Sequence, residues 1–511
     1  MLVLFVFVIL AFLCIWPRMP FRWSIVLYAV LVQFSFAGPD WHSMTRLNML
    51  NAVKIVVVPL LLAVRYYLQR RRDTLKISGL GMIWIVFVLY VALACLWSPV
   101  PKAAVKEVGY LSSFGLIAYF VIGTLRRSPR FIDLALPVLV TASVGVAVWQ
   151  TFLAGNQFAQ LDGSLTSFAA KNAFGWWLVF CQVLALAAVS SAGLGRPWHV
   201  VTLILAGVAQ GANSSRAALL AGLAVAAACL AGALWLRSEG WRRSAIAAVL
   251  WLVTVTVTAG SIMFLPSMMP AGKYTTVANR YWQPARRVKR VIVKVERLSF
   301  LNSAKLRRDR PTPQKVRREE PKAEETRIER LNAQALRKER PKAHKEEMPN
   351  VNFRLTRWKR AITALGRRGP VRLIAGSGTS SSVQLAKVTD VHRWRGDKTR
   401  IDANRVMHNT FLRVVIEWGL TGLAIFMAFL GVLLAKIAKL LREDRQPRTW
   451  ILVLGVFPLL VFLLTGNPLA SSGTPGGMGA VLWLAVLLTA NKTALVPSVS
   501  PGPLLEEADV G

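Results

Sequence analysis

The chain has 511 residues, 54% of them hydrophobic, with 63 Lys or Arg against 25 Asp or Glu and a formal net charge of +38. The apolar residues fall in many separate runs close to the ~20 residues that span a bilayer, which excludes an ordinary soluble domain. The basic residues lie largely between those runs and in one long insert, with no zinc-finger or RNP-type pattern, so membrane topology explains the charge better than a nucleic-acid partner does.

Windows of apolar residues predict helices, in chain order, near 2–16, 22–37, 49–67, 79–97, 108–125, 131–153, 171–191, 198–213, 216–236 and 244–265, then near 409–435, 449–466 and 476–491. The expected fold class is an all-α polytopic membrane protein of about 12 to 13 transmembrane helices, with a large periplasmic loop between two late spans. The first run, MLVLFVFVILAFLCIWPR, has no basic leader and no small-residue cleavage site, so it reads as a retained helix rather than a removable signal. Cys14, Cys95, Cys181 and Cys229 all lie in apolar runs without a C-x-x-C pair, where they act as small hydrophobes, and neither a disulfide nor a thiolate metal site is expected.

Lys and Arg resist translocation and mark cytoplasmic turns. Four clusters agree: Arg65 to Lys76, Arg126 to Arg130, Arg237 to Arg243, and Lys436 to Arg448. The loops 98–107, 154–170 and 467–475 are poorer in charge and are assigned, with 266–408, to the periplasm. The expected organisation is thus N-terminal transmembrane helices over 1–265, a periplasmic loop over 266–408, C-terminal transmembrane helices over 409–491 and a cytoplasmic tail over 492–511.

Within the loop, 285–348 is a basic insert; residues 286–347 hold 21 Lys or Arg against 10 Asp or Glu, and long loops cross the membrane largely regardless of charge. It has too few apolar residues to offset chain entropy, so disorder is expected, either as a polybasic arm for anionic lipid or acidic glycan or as a solvated linker. From about 350 to 408, Phe353, Leu355, Trp358, Ile362 and Leu365 recur near helical spacing ahead of a Gly-rich turn, which predicts an ordered helical cap.

The sequence has no Asp-x-Asp, H-E-x-x-H, Walker or G-x-S-x-G motif, which argues against a metal-nucleotide mechanism. What remains are polar residues at the external ends of spans, costly enough there to be functional candidates. Ser214, Ser215 and Arg216 open one span, where a cation opposes the helix dipole; either a bound anion compensates or Arg216 snorkels to the interface. Arg354 and Arg357 stand near Trp358 and ahead of Gly376 and Gly378, whose amides could approach a phosphate, while an amphipathic helix ending in a turn is an equally simple account. His408 and Asn409 directly precede the span that closes the loop; imidazole suits proton transfer near neutral pH, and an interfacial His also serves as a solvated or capping residue. Asn172, at the start of its span, either contacts substrate or caps the helix. Lys54 reads as the only charge deep in a span.

Several short motifs occur in a fixed order: K-N-A-F-G at Lys171 and Asn172, S-S-R ending at Arg216, R-x-x-x-W at Arg354 and Trp358, then G-x-G at Gly376 and Gly378. Last comes H-N-T-F-L from His408, running into E-W-G-L-T-G-L. In this order and sidedness, over about residues 80–490, the sequence resembles the O-antigen ligase and polysaccharide polymerase superfamily. The resemblance implies a multi-pass enzyme of the bacterial inner membrane with its active site facing the periplasm. It further implies a metal-independent, inverting glycosyl transfer without a cofactor, from an undecaprenyl diphosphate-linked glycan to a hydroxyl of lipid A-core or of another glycan chain, among membrane lipids. Carried over by motif, His408 is the expected general base and Arg216 and Arg354 the diphosphate ligands, with Asn172, Arg357 and Asn409 as further candidate substrate contacts. The basic insert separates Arg280 and Arg286 from the cap and leaves them without a role.

A polymerase of exopolysaccharide or O-antigen repeats is the alternative within the superfamily. A non-enzymatic transporter or flippase is the alternative of another class, for which internal repeats and broken spans with charges near the midplane would be expected. Deleting residues 300–345 is expected to leave membrane expression and glycan transfer largely intact, measured on isolated membranes; loss of either would give the insert a structural or binding role.

Overall fold

The computed structural model describes residues 19–33, 44–69, 78–128, 130–149, 171–191, 196–213, 215–264, 358–359, 363, 369–382, 409–465 and 475–493. The chain divides into two units, Met1–Tyr281 with Arg360–Gly511, and Trp282–Lys359. In the second unit only Trp358 and Lys359 are described, both helical. The predicted helix at 2–16, the insert 285–348 and the tail beyond 493 lie outside the described residues, as do Arg354, Arg357, His408 and the side chain of Lys54.

Among the described residues the secondary structure is helical, without a strand. The helices are α1 (Phe21–Gln33), α2 (Met44–Gln69), α3 (Gly79–Leu93), α4 (Pro101–Arg127), α5 (Phe131–Val148), α6 (Lys171–Ser190) and α7 (Arg196–Asn213). They continue as α8 (Arg216–Leu236), α9 (Glu239–Phe264), α10 (Pro370–Ala375), α11 (Thr410–Glu443), α12 (Pro447–Leu454), α13 (Val456–Thr465) and α14 (Pro475–Thr493). Among the described residues seven segments are long and apolar enough to cross a membrane, α12 and α13 counting together, and four shorter apolar helices accompany them. The chain is an all-α polytopic membrane protein, as its apolar runs predict.

The distribution of apolar side chains supports this reading. The interior is apolar, yet Leu89, Leu220, Leu234, Trp235 and Ile246 are exposed on the helix surfaces. In water such a surface would be an aggregation liability; facing lipid tails it costs nothing.

Lipid also removes most of the hydrophobic drive between helices, so close packing has to hold them together. α6 is the central helix, with Phe174, Trp176, Trp177 and Phe180 buried, and it packs against α7, α8, α9, α12 and α14. Small residues permit close approach. Gly207 and Gly211, one turn apart on α7, face the backbone of α9: a Cβ would lie 3.0 Å from the Trp251 carbonyl oxygen at the first and 2.8 Å from that of Val255 at the second. Cys181 and Cys229 are buried in the same core.

The helix ends sort by charge. The turns carrying Arg126, Arg127, Arg130, Arg237, Arg242, Arg243 and Arg448 lie at one end of the bundle, where Gly240 at the start of α9 approaches Ser190 and Pro447. The opposite end holds the starts of α4, α6, α8 and α11 and the end of α3. There a second apolar cluster joins α3, α4 and α11 through Trp84, Phe87, Leu111, Val414, Trp418 and Phe426, with Phe87 and Trp418 edge to face at 5.1 Å. This cluster is the floor of the candidate site.

Candidate functional site

The helix that follows His408 is broken. α11 begins at the N-cap Asn409, whose side-chain oxygen accepts the Leu412 amide at 3.0 Å, and runs regularly until Gly419. There the backbone turns to φ 66° and ψ −166°, a left-handed conformation that favours glycine, before the helix resumes to Glu443. A break frees carbonyl oxygens that an intact helix would use, and at membrane depth each needs a donor from elsewhere.

The donors come from the segment Gly376–Ser382 and from α3. The Ser377 amide donates to the Ile416 carbonyl and the Gly378 amide to that of Glu417, both at 3.0 Å. The Tyr90 hydroxyl lies 3.1 Å from the Trp418 carbonyl and 3.2 Å from that of Ala375, so one side chain bridges the break and the segment. Tyr90→Phe removes the shared donor and is expected to cost about 1–3 kcal/mol, read as a lower melting midpoint of the detergent-solubilised protein. An unchanged midpoint would mean that the break is held without it.

The same segment is docked on the α3–α4 turn. The Thr379 amide donates to the Ala94 carbonyl at 3.3 Å, the Thr379 hydroxyl to the Val91 carbonyl at 2.8 Å, and the Ser98 hydroxyl to the Thr379 carbonyl at 2.6 Å. The Trp418 indole N–H donates to the Thr379 hydroxyl at 3.1 Å. Gly376 and Gly378 both have positive φ and sit against backbone: a Cβ on Gly378 would lie 2.6 Å from Ser98 Cα, and one on Gly376 2.5 Å from the Gly419 nitrogen.

These contacts correct one reading of the G-x-G turn. The amides of residues 376–381 are all engaged by protein oxygens, so the glycines let the turn pack against α11 and the α3–α4 turn rather than cradle a phosphate.

At the centre of the site is a buried set of charges. The Glu417 carboxylate accepts Arg413 Nε at 2.9 Å and the Ser382 hydroxyl on Oε1, and Arg413 Nη2 at 3.2 Å and the Ser380 amide at 2.9 Å on Oε2. Arg413 Nη2 also reaches Glu107 Oε2 on α4, at 3.0 Å. The side chains are 0% exposed at Glu417, 5% at Arg413 and 9% at Glu107, so solvent screens this set little. Ser380 takes φ 62° as it presents its amide to the carboxylate, a conformation that surroundings must hold in place.

Sequence reasoning missed this set. Lys54 is not the only charge deep in a span, since Arg413 and Glu417 are buried one helical turn apart in α11. Their spacing inside an apolar run was the available signal. Glu107 gave none, because the span was expected to start at 108, whereas α4 begins at Pro101 and carries Glu107 into the bundle.

Of the remaining candidates, the three that are described (Arg216, Asn172 and Asn409) fall at the same end of the bundle. Arg216 is exposed in the first turn of α8, a helix without an acidic residue in that turn. Asn172 is exposed near the start of α6 and accepts the Ser215 hydroxyl at 3.1 Å, which ties the two helix starts together. Asn409 is buried and its side-chain oxygen is spent on the cap. His408, Arg354 and Arg357 lie outside the described residues.

Residues 201–427 match the family model described as O-antigen ligase. The matched stretch runs from α7 through the break in α11 and contains Arg216, Arg354, Gly376, His408, Arg413 and Glu417; Asn172 and Glu107 lie before it. No curated protein matches the chain.

Proposed function

We propose, from the match of residues 201–427 to the O-antigen ligase family, that this chain moves a glycan from undecaprenyl diphosphate to an acceptor hydroxyl. The site lies at the end of the bundle opposite the basic turns, which is the periplasmic face of the inner membrane if the Lys and Arg clusters mark the cytoplasm. The observation that carries the reading is the matched broken helix α11, which starts directly after His408 and is anchored by the segment 376–382.

The chemistry assigns the roles. A sugar hydroxyl is a poor nucleophile, so its oxygen attacks the anomeric carbon as the imidazole of His408 removes its proton. The bond from the anomeric carbon to the diphosphate oxygen breaks on the opposite face, inverting the configuration, and undecaprenyl diphosphate leaves with the bonding electrons. Its growing charge is assigned to the guanidinium group of Arg216, a charged donor suited to a developing anion, with Arg354 as the second diphosphate ligand that the resemblance implies. Arg216 suits this role because an exposed cation at a helix start, where the dipole is positive, gains most from a bound anion. Asn172, beside Ser215, extends the polar surface of Arg216 toward the glycan.

A break with buried charges is also the mark of a transporter, so that feature alone does not separate the two classes. The family match favours transfer over transport. The test supplies purified protein with undecaprenyl diphosphate glycan, with and without lipid A-core, and sizes the products. Single transfer to lipid A-core identifies a ligase, a ladder on the polyprenyl carrier identifies a polymerase, and no product in either mixture overturns glycosyl transfer.

A further inference from the structure

We infer that Glu417, acting through Arg413 and Glu107, is a positioning residue that fixes the first two turns of α11, and with them the place of His408, relative to α4 and the segment 376–382. The inference rests on the reading of His408 as general base.

The break makes such a device necessary. Because Gly419 leaves helical geometry, residues 410–418 form a short helix that takes no direction from the long arm beyond it. Its orientation must come from lateral contacts. Arg413 on its inner face pulls toward Glu107 on α4, while Glu417 one turn later holds the Ser380 amide and the Ser382 hydroxyl. The guanidinium joins both carboxylates, so α4, the segment and the short helix are locked through one connected set. His408 directly precedes the N-cap of that short helix in the chain, so the orientation of the helix is what the set can pass on to it.

Stability alone is a poor explanation for these charges. Removing two carboxylates and a guanidinium from water is costly, and apolar side chains of similar volume often serve a core as well or better. The set is also incompletely satisfied: Glu107 Oε1 and Arg413 Nη1 are buried without a hydrogen-bond partner among the described residues. A partly satisfied polar network is worse for stability than an apolar core. What it supplies that apolar packing lacks is direction, through donors and acceptors with fixed angles. A displacement of about 1 Å at a reacting group costs on the order of 100-fold in rate, so direction has catalytic value here.

The test compares Glu417→Gln, Glu417→Asp, Ser382→Ala and His408→Ala in full-length protein, with transfer rates normalised to folded, inserted protein. Glu417→Gln keeps hydrogen-bonding atoms and removes the charge; it is expected to lower kcat by on the order of 100-fold while the KM for undecaprenyl diphosphate glycan stays within about threefold. Glu417→Asp, which keeps the charge, should recover part of that kcat. Should Glu417→Gln fail to fold, Ser382→Ala removes one of the four donors and is expected to lower kcat by roughly 5- to 10-fold, again at constant KM, the size of one hydrogen bond. Loss of folded protein with unchanged kcat per folded molecule in both variants would reduce the set to a structural role and overturn the inference. An inactive His408→Ala beside a fully active Glu417→Gln would sink the positioning role only, whereas an active His408→Ala would sink the reading beneath it.

Discussion

His408→Ala is expected to lower glycan transfer by ~10²- to 10⁴-fold, the range that a positioned general base contributes. The protein should still insert and purify in normal amount, because residue 408 precedes the N-cap of α11 and the capping bond belongs to Asn409. Donor binding should change little, since the diphosphate is assigned to Arg216 and Arg354. The comparison therefore reads kcat and the donor KM separately. A fall in KM-dependent binding with kcat preserved would move His408 from proton transfer to substrate contact, and full activity would remove it from the site.

Gly419→Ala is expected to have the largest effect on the fold of the site. The residue has φ 66°, which a side chain rarely adopts, and its Cβ would press on the Ile374 carbonyl and lie 2.5 Å from the Gly376 nitrogen. Both are backbone atoms, so neither can swing aside. Strain of ~1–3 kcal/mol from the conformation and a similar ~1–3 kcal/mol from overpacking act together. The expected outcome is a lower melting midpoint and loss of transfer, with protease cleavage within 376–382 as the local signature. A variant with wild-type midpoint and activity would show that the break is not required.

Gly431, twelve residues further along the same helix, provides the contrast. It has open space where a Cβ would be, so Gly431→Ala should be tolerated and separates the effect of the break from that of any glycine replacement in α11.

The membrane helices were legible because their signal is local. A run of about 20 apolar residues bounded by Arg or Lys needs no partner to be recognised, and α5 through α9 fall close to their expected ranges. The misplaced ends have a common physical origin. α4 starts at Pro101 and α11 extends to Glu443 because helices continue through polar residues at the interface, where Lys102, Lys106, Lys436 and Lys439 prolong them beyond the apolar window. The expected span at 449–466 is two helices meeting at Gly455, where the Trp483 ring packs and its N–H donates to the Leu452 carbonyl at 2.7 Å. Nothing in the local sequence announces that ring.

The site was legible only in part, and for the opposite reason. Asn409 and the E-W-G-L-T-G-L stretch after it, which hold the N-cap and the break, could be singled out by residue type and position. The break at Gly419 could not, because glycine is common in intact membrane helices and the donors that make the break tolerable come from residues 90 and 376–378. The reading of Gly376 and Gly378 as a phosphate cradle failed on the same long-range contact. Arg413 and Glu417 were the lost opportunity: opposite charges one turn apart in an apolar run are a local pattern, and their burial is what membrane energetics would attach to a functional position.

Sidedness bears on every part of the proposed mechanism, which assigns the transfer to the outer side of the inner membrane. The direct measurement is a single cysteine at position 408 in a background with the four native cysteines replaced, probed in intact spheroplasts with a thiol reagent that does not cross membranes. The account predicts labelling before permeabilisation, at a level matching a cysteine in the 98–100 turn, while a cysteine near Arg237 stays unlabelled until the membrane is opened. Labelling at 408 only after permeabilisation would put the base in the cytoplasm and contradict the assignment.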